Sequence, residues 1–254
     1  MKTLMIHDIR PEYFNLPLDK YHLTFDDGLY AHYYYLPLLE KHPCTLFFFI
    51  ATGFIQPGGA RKMFDGQYRP YLKSKRYMYQ AMIENKRDFY MTVDEVRRLA
   101  HRPSVVIGAH SHFHDVILTR THSSKRKPPG AWKLARFAGI DDPSAEGFSI
   151  RSRLAFQGYD IEEGEITRRS RTEWEDYIKR DTESCLQWFE TNLGFLPDSY
   201  CFPFNEYSTP LVTMLQAYGF KRFFGARAAK NDLIQPRLDI DRLLAEAETE
   251  KKKA

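Results

Sequence analysis

Short, nearly unbroken apolar runs alternate along the chain with longer segments in which apolar residues recur every three or four positions. Leu4–Ile6, Tyr21–Phe25, Thr45–Ile50, Val105–Gly108, Ser199–Phe202 and Lys221–Phe224 have the first pattern and predict buried strands. Leu29–Lys41 carries Tyr30, Tyr33, Tyr34, Leu38 and Leu39 at helical spacing. Val93–His101 predicts a second helix, because the hydroxyl of Thr92 can accept a free amide of the first turn. Glu173–Leu193, stopped by Gly194, and Leu211–Tyr218 predict two more, and a last strand is expected around Pro236–Ile240. Strands that alternate with helices are joined by crossovers and run parallel, so the class is α/β, with a parallel sheet or barrel.

Two segments break the rhythm. Residues 56–90 are basic and rich in tyrosine, and residues 119–170 are rich in Arg, Ser, Gly and Pro, with charge runs such as Ser124–Lys127. Neither has enough apolar periodicity for a core of its own, so both read as insertions over one barrel end, within a single domain spanning 1–254. Glu250–Lys253 is expected to be a solvated end.

With 254 residues, 43% of them hydrophobic, the chain is not disordered. Its net charge of +4 is too small to announce a nucleic-acid binder, although a polyanionic partner stays open. An aromatic content of 15% supports a well-filled core and a stacking surface for sugars. Cys44, Cys185 and Cys201 are odd in number and widely spaced, which argues against a disulfide framework or a cysteine zinc site and fits a reducing compartment. Met1–Arg10 lacks the apolar core of a secretory signal, and the run Leu46–Ala51 is far shorter than the roughly 18 residues that cross a bilayer. A soluble, cytoplasmic protein is expected.

Chemistry concentrates at two strand ends. Thr24-Phe25-Asp26-Asp27-Gly28 puts adjacent carboxylates at the end of a buried strand, where mutual repulsion and desolvation call for a cation or for two different roles. The plainer alternative is an Asp-Gly turn with one carboxylate capping the next helix. His110-Ser111-His112-Phe113-His114 then places three imidazoles within five residues, a set suited to zinc or a similar ion. In extended chain all three share a face, whereas in a helical turn only His110 and His114 do. A His, His, Asp site with an open position is the arrangement of a catalytic zinc.

These motifs resemble those of the polysaccharide deacetylases, the NodB-homology group also called carbohydrate esterase family 4. Residues 24–28 look like the family's Thr-Phe-Asp-Asp-Gly motif, 110–114 match its His-Ser/Thr-x-x-His, and Phe202-Pro203-Phe204 is similar to its proline-aromatic motif. The resemblance implies a distorted (β/α) barrel, with Asp27, His110 and His114 as metal ligands and Asp26 as general base. It implies hydrolysis of an N-acetyl amide, Asp26 taking a proton from a water that the ion activates, and the ion and the Phe204 amide holding the developing oxyanion.

Two departures stand out. No histidine follows His122, so the family's late Leu-x-x-His-Asp-like motif is absent; its nearest counterpart is Leu4-Met5-Ile6-His7-Asp8, as in circularly permuted members. His7 is therefore the expected general acid, the alternative being a buried strand histidine bonded to backbone. The arginine that usually precedes the proline-aromatic pair is replaced by Cys201 and Phe202, and Arg237 is the candidate to brace Asp26 instead. Asn205 stands where glycine is common, which its tolerance of left-handed backbone allows. The segment with Tyr68, Arg69, Tyr71, Lys73, Lys75, Arg76, Tyr77 and Tyr79 is either a substrate lip or a solvated cover.

The expected activity is removal of an N-acetyl group from a saccharide by a divalent ion, zinc before others. The expected substrate is an acetylated sugar or oligosaccharide, nucleotide- or lipid-linked, in O-antigen or capsule synthesis. A deformylase or other linear-amide hydrolase uses the same residues. A saccharide-binding protein without turnover, and a basic scaffold for nucleic acid, are the other classes.

Overall fold

The computed structural model describes residues 1–120, 130–137, 140, 143–162, 164–225 and 233–251. In chain order the strands are β1 Lys2–Ile6, β2 Tyr21–Phe25, β3 Leu46–Ile50, β4 Val105–Ala109, β5 Val116–Arg120, β6 Phe148–Ser152, β7 Tyr159–Glu162, β8 Glu165–Arg168, β9 Ser199–Cys201, β10 Arg222–Gly225 and β11 Ile234–Asp239. Seven of them close a parallel barrel in the order β1-β11-β10-β9-β4-β3-β2. β1 pairs on both sides: Leu4 stands opposite Leu238 of β11 and Leu23 of β2.

All five residues of β3 are buried, which is why its sequence is apolar without alternation: barrel strands have both faces covered. Phe47 and Phe49 meet Phe224 at ring separations of 5.2 and 4.8 Å. β3 and β10 are not neighbours in the sheet, so this contact crosses the barrel interior, where Cys201 completes the cluster. Phe48 and Ile50 instead belong to the large cluster shared with the helices.

The helices are α1 Tyr30–Tyr34, α2 Leu36–Leu39, α3 Ser74–Met82, α4 Val93–Ala100, α5 Ala131–Ala135, α6 Arg171–Leu193, α7 Thr209–Ala217 and α8 Ile240–Lys251. Thr92 caps α4 and Ser170 caps α6, each in a reciprocal box with a glutamate three residues on, and Gly194 ends α6 in left-handed backbone. The single helix expected over Leu29–Lys41 is two, broken at Tyr35 (φ −88°, ψ 4°). Pro37 lies in the first turn of α2, and a proline supplies no N–H and disfavours helical backbone just before it.

The two inserted segments hold structure that their local sequence does not reveal. β6-β5-β7-β8 form an antiparallel sheet, and a common apolar cluster joins Tyr77 and Met78 of α3, Trp132 of α5, and Val116, Leu118, Phe148 and Ile150 of the sheet. Their apolar residues are scattered in sequence and become a layer only when the two segments pack together. The run Ser124–Lys127 lies outside the described residues. α8 packs Leu243, Leu244 and Ala247 against the core, while Glu250 in its last turn is exposed and Lys252 and Lys253 lie outside the described residues.

Candidate metal centre

The candidate residues lie at the carboxyl ends of barrel strands, where loops of parallel α/β barrels converge. Asp26 and Asp27 follow β2, His110 follows β4, and His7 follows β1. The turn after β2 needs left-handed backbone twice, at Asp27 (φ 75°) and Gly28 (φ 83°). A Cβ on Gly28 would also lie 2.9 Å from Ile55 Cδ1. Ser111, His114, Phe204 and Asn205 are left-handed too, so among the described residues every non-glycine residue with positive φ except Asn85 belongs to this site. Such conformations cost on the order of 1 to 3 kcal/mol each and persist where surrounding contacts impose them.

Oδ1 of Asp27 stands 3.4 Å from Nε2 of His110 and 3.4 Å from Nε2 of His114. The three ligand atoms lie within 4.8 Å of one another, and all three residues are buried. Nδ1–H of His110 donates to the Cys201 carbonyl at 2.8 Å, which orients the ring and leaves Nε2 facing Asp27. Nδ1 of His114 is buried without a hydrogen-bond partner. Burial lowers the His114 pKa to about 4, so the ring is neutral and free to ligate near pH 7. Burial also opposes charge on His110, but Cys201, Asp27 and Asp26 outweigh it and raise that pKa well above the imidazole value. In the ion-free cluster a proton thus stands where a cation is wanted. Burial by itself would raise the Asp27 carboxyl, yet the two histidines hold it far below the carboxylate range. The donor set of two imidazoles and one carboxylate fits a divalent ion such as zinc.

Asp26 has a different neighbour. Arg237 of β11 donates from one Nη to Asp26 Oδ1 at 2.6 Å and to Thr24 Oγ1 at 3.1 Å, and from the other to Asn205 Oδ1 at 2.7 Å. Burial would raise the Asp26 pKa, but Arg237, His110 and His7 hold it below the usual carboxylate value. Asp26, His110 and Cys201 form a second group within 4.8 Å. The guanidinium already neutralises its carboxylate, and burial raises the thiol pKa, so that trio is the poorer ion site.

His7 is half-buried, and its charge acts on both Asp26 and Asp27. Its carbonyl oxygen meets Nε2 of the fully buried His32. Asp8 turns away from the ring: its carboxylate accepts the amides of Ile9 at 2.8 Å and Leu72 at 2.5 Å. The ring of Phe204 packs edge-on against His114 at 4.6 Å and lies 6.0 Å from Trp132. His112 leaves the cluster, its Nδ1 sitting 2.9 Å from Thr52 Oγ1. The histidine loop is neither strand nor helix but a tight turn with Ser111 and His114 left-handed.

Two buried residues that hold this site escaped the sequence reading. Tyr77 of α3 donates to Asp27 Oδ2 at 2.8 Å. It was a candidate for sugar stacking, and instead its hydroxyl occupies the ligand's other oxygen, while Arg69 and Arg76 beside it line a cavity of about 360 Å³. Asp181 of α6 accepts from Ser111 Oγ at 2.9 Å, from the Phe113 amide at 2.8 Å and from the His112 amide at 3.1 Å. Ser111 Oγ in turn accepts the His114 amide at 2.9 Å. A signal for Asp181 existed: Trp174, Tyr177, Ile178, Asp181, Thr182, Cys185 and Phe189 form the buried stripe of α6, and an aspartate there needs partners.

No family model and no curated protein matches the sequence. Solved structures do match the fold. The deacetylase domain of BpsB from Bordetella bronchiseptica superposes with a TM-score of 0.60 at 14% identity, covering 94% of this chain and 96% of that one. A de-N-acetylase from Aggregatibacter actinomycetemcomitans gives 0.60 at 15% identity, over 94% and 95% of the two chains. The deacetylase PplD from Streptococcus pyogenes, solved with acetate, gives 0.51 at 12% identity over 96% of both. The chain has the α/β fold of polysaccharide deacetylase structures, a closed seven-stranded parallel barrel, with a buried histidine and aspartate cluster at its centre.

Proposed function

We propose that this protein is a metal-dependent hydrolase that removes the N-acetyl group from a saccharide. The observation that carries the reading is the convergence of Asp27, His110 and His114 on one point beside a second carboxylate, Asp26, that is kept ionised by Arg237. The fold likeness to proteins named as deacetylases, one of them solved with acetate, supports it.

Asp27, His110 and His114 would hold a divalent ion, zinc in our reading, which would supply Lewis acidity for the amide carbonyl and lower the pKa of water. Asp26 takes the proton of the attacking water, for which it must be a carboxylate, and the Arg237 bridge keeps it one. We assign the developing oxyanion to the backbone amide of Phe204, the residue whose ring packs against His114. His7, at the end of β1 between β11 and β2, returns a proton to the leaving amine.

Metal content and acetate release, measured together, test these roles. Asp27→Ala, His110→Ala and His114→Ala are expected to lose the ion. Asp26→Asn and His7→Ala are expected to keep it and to lose turnover by about 10² to 10⁴-fold. Formate release in place of acetate would make the enzyme a deformylase, and full turnover without the ion would end the proposal.

A further inference from the structure

His112 is the histidine of the triplet that the metal centre does not use. It lies with Arg87, Arg136 and Arg180 in a cavity of about 620 Å³ on another side of the same loop. Arg136 is matched by Asp115 at 3.0 Å. Arg87 and Arg180 have no carboxylate partner among the described residues. Arg87 donates to the Gly53 carbonyl, and its Nε is buried without a partner. The guanidinium of Arg180 lies 5.8 Å from the ring of Phe113 and 5.5 Å from that of Tyr177. Two guanidiniums without a carboxylate partner, a buried N–H left unsatisfied and an imidazole share one cavity whose only acidic lining group among the described residues, Asp115, is already paired with Arg136. Guanidinium forks match the paired oxygens of a phosphate and hold it more strongly than they hold neutral acceptors.

We propose that this cavity binds a phosphate group, with Arg87 and Arg180 as its cationic anchors and His112 as a neighbouring polar contact. Resting on the hydrolase reading above, the phosphate is that of a carrier-linked sugar whose acetamide reaches the metal centre on the other side of the loop.

The test is calorimetric titration of the metal-loaded protein with inorganic pyrophosphate, with a nucleoside-diphosphate N-acetylhexosamine and with the free N-acetylhexosamine. The two phosphate-bearing ligands are expected to bind, and Arg180→Glu and Arg87→Gln are each expected to weaken them at least tenfold. Arg180 is exposed on α6 and can be changed without disturbing the core. Asp27→Ala, which removes the ion, is expected to leave pyrophosphate affinity in place; loss of binding there would mean that the anion sits on the metal and would overturn the proposal. Equal affinity in wild type and Arg180→Glu would overturn it too. Tighter binding of an N-acetylated hexuronic acid than of pyrophosphate would refute the phosphate assignment in favour of a carboxylate. These titrations need no turnover, so a protein that hydrolyses no acetamide yet loses pyrophosphate affinity on Arg180→Glu refutes the hydrolase and keeps the pocket.

Discussion

The phenol of Tyr77 donates to Oδ2 of Asp27 while Oδ1 of the same carboxylate faces both histidines. One oxygen is thereby tied to α3 and the other is left for an ion, so Asp27 is pre-set to ligate through a single atom. Burial, with Asp27 adding to it, keeps the phenol protonated and hence a donor.

Tyr77→Phe keeps the ring volume and removes that donor. The fold is expected to survive, while the affinity for zinc falls by about 10 to 100-fold, the usual loss when the outer partner of a ligand is deleted. Competition with a chromophoric chelator measures it, and unchanged affinity would show that the hydroxyl does not orient the carboxylate.

Arg237→Gln removes the charge that keeps Asp26 ionised. The Asp26 pKa is then expected to rise, so that the acid limb of the rate profile moves to higher pH and turnover falls most below neutrality. Leaving a buried carboxylate unpaired is also expected to cost about 3 to 5 kcal/mol of stability. Acetate release across pH and urea unfolding of the same preparation read the two effects separately.

Asp181 gives a pH dependence of the opposite kind. Burial raises its pKa from 3.8 to about 6, against the pull of the amides and hydroxyl that it accepts. A raised folded-state value means that its contribution to stability is full below pH 3.8 and is lost as pH rises through about 6. The difference in unfolding free energy between wild type and Asp181→Asn is therefore expected to shift in favour of the variant between pH 4 and 8, by on the order of 3 kcal/mol. Urea titrations of ion-free protein across that range check the sign.

The barrel was legible because β2, β3 and β4 are buried on both faces and so are written as apolar runs that local sequence reveals. The split between α1 and α2 had its cause in plain sight at Pro37. The four-stranded sheet was not legible: β7 and β8 are short and largely polar, and β5 becomes a strand through partners such as Ile150, opposite Leu118 and far away in sequence. Asp27, His110 and His114 are marked by their own motifs. Tyr77 is not, because nothing local to α3 says that its phenol will end on the carboxylate of Asp27, 50 residues away.

The shared packing of the two inserted segments has a consequence for anyone wishing to shorten this protein. Tyr77 on α3 braces Asp27, and Trp132 on α5 backs the Phe204 ring that leans on His114, so the additions are built into the candidate metal centre and do not merely decorate its rim. A trimmed version with both excised would retain Asp27, His110 and His114 and lose the walls that hold them in place.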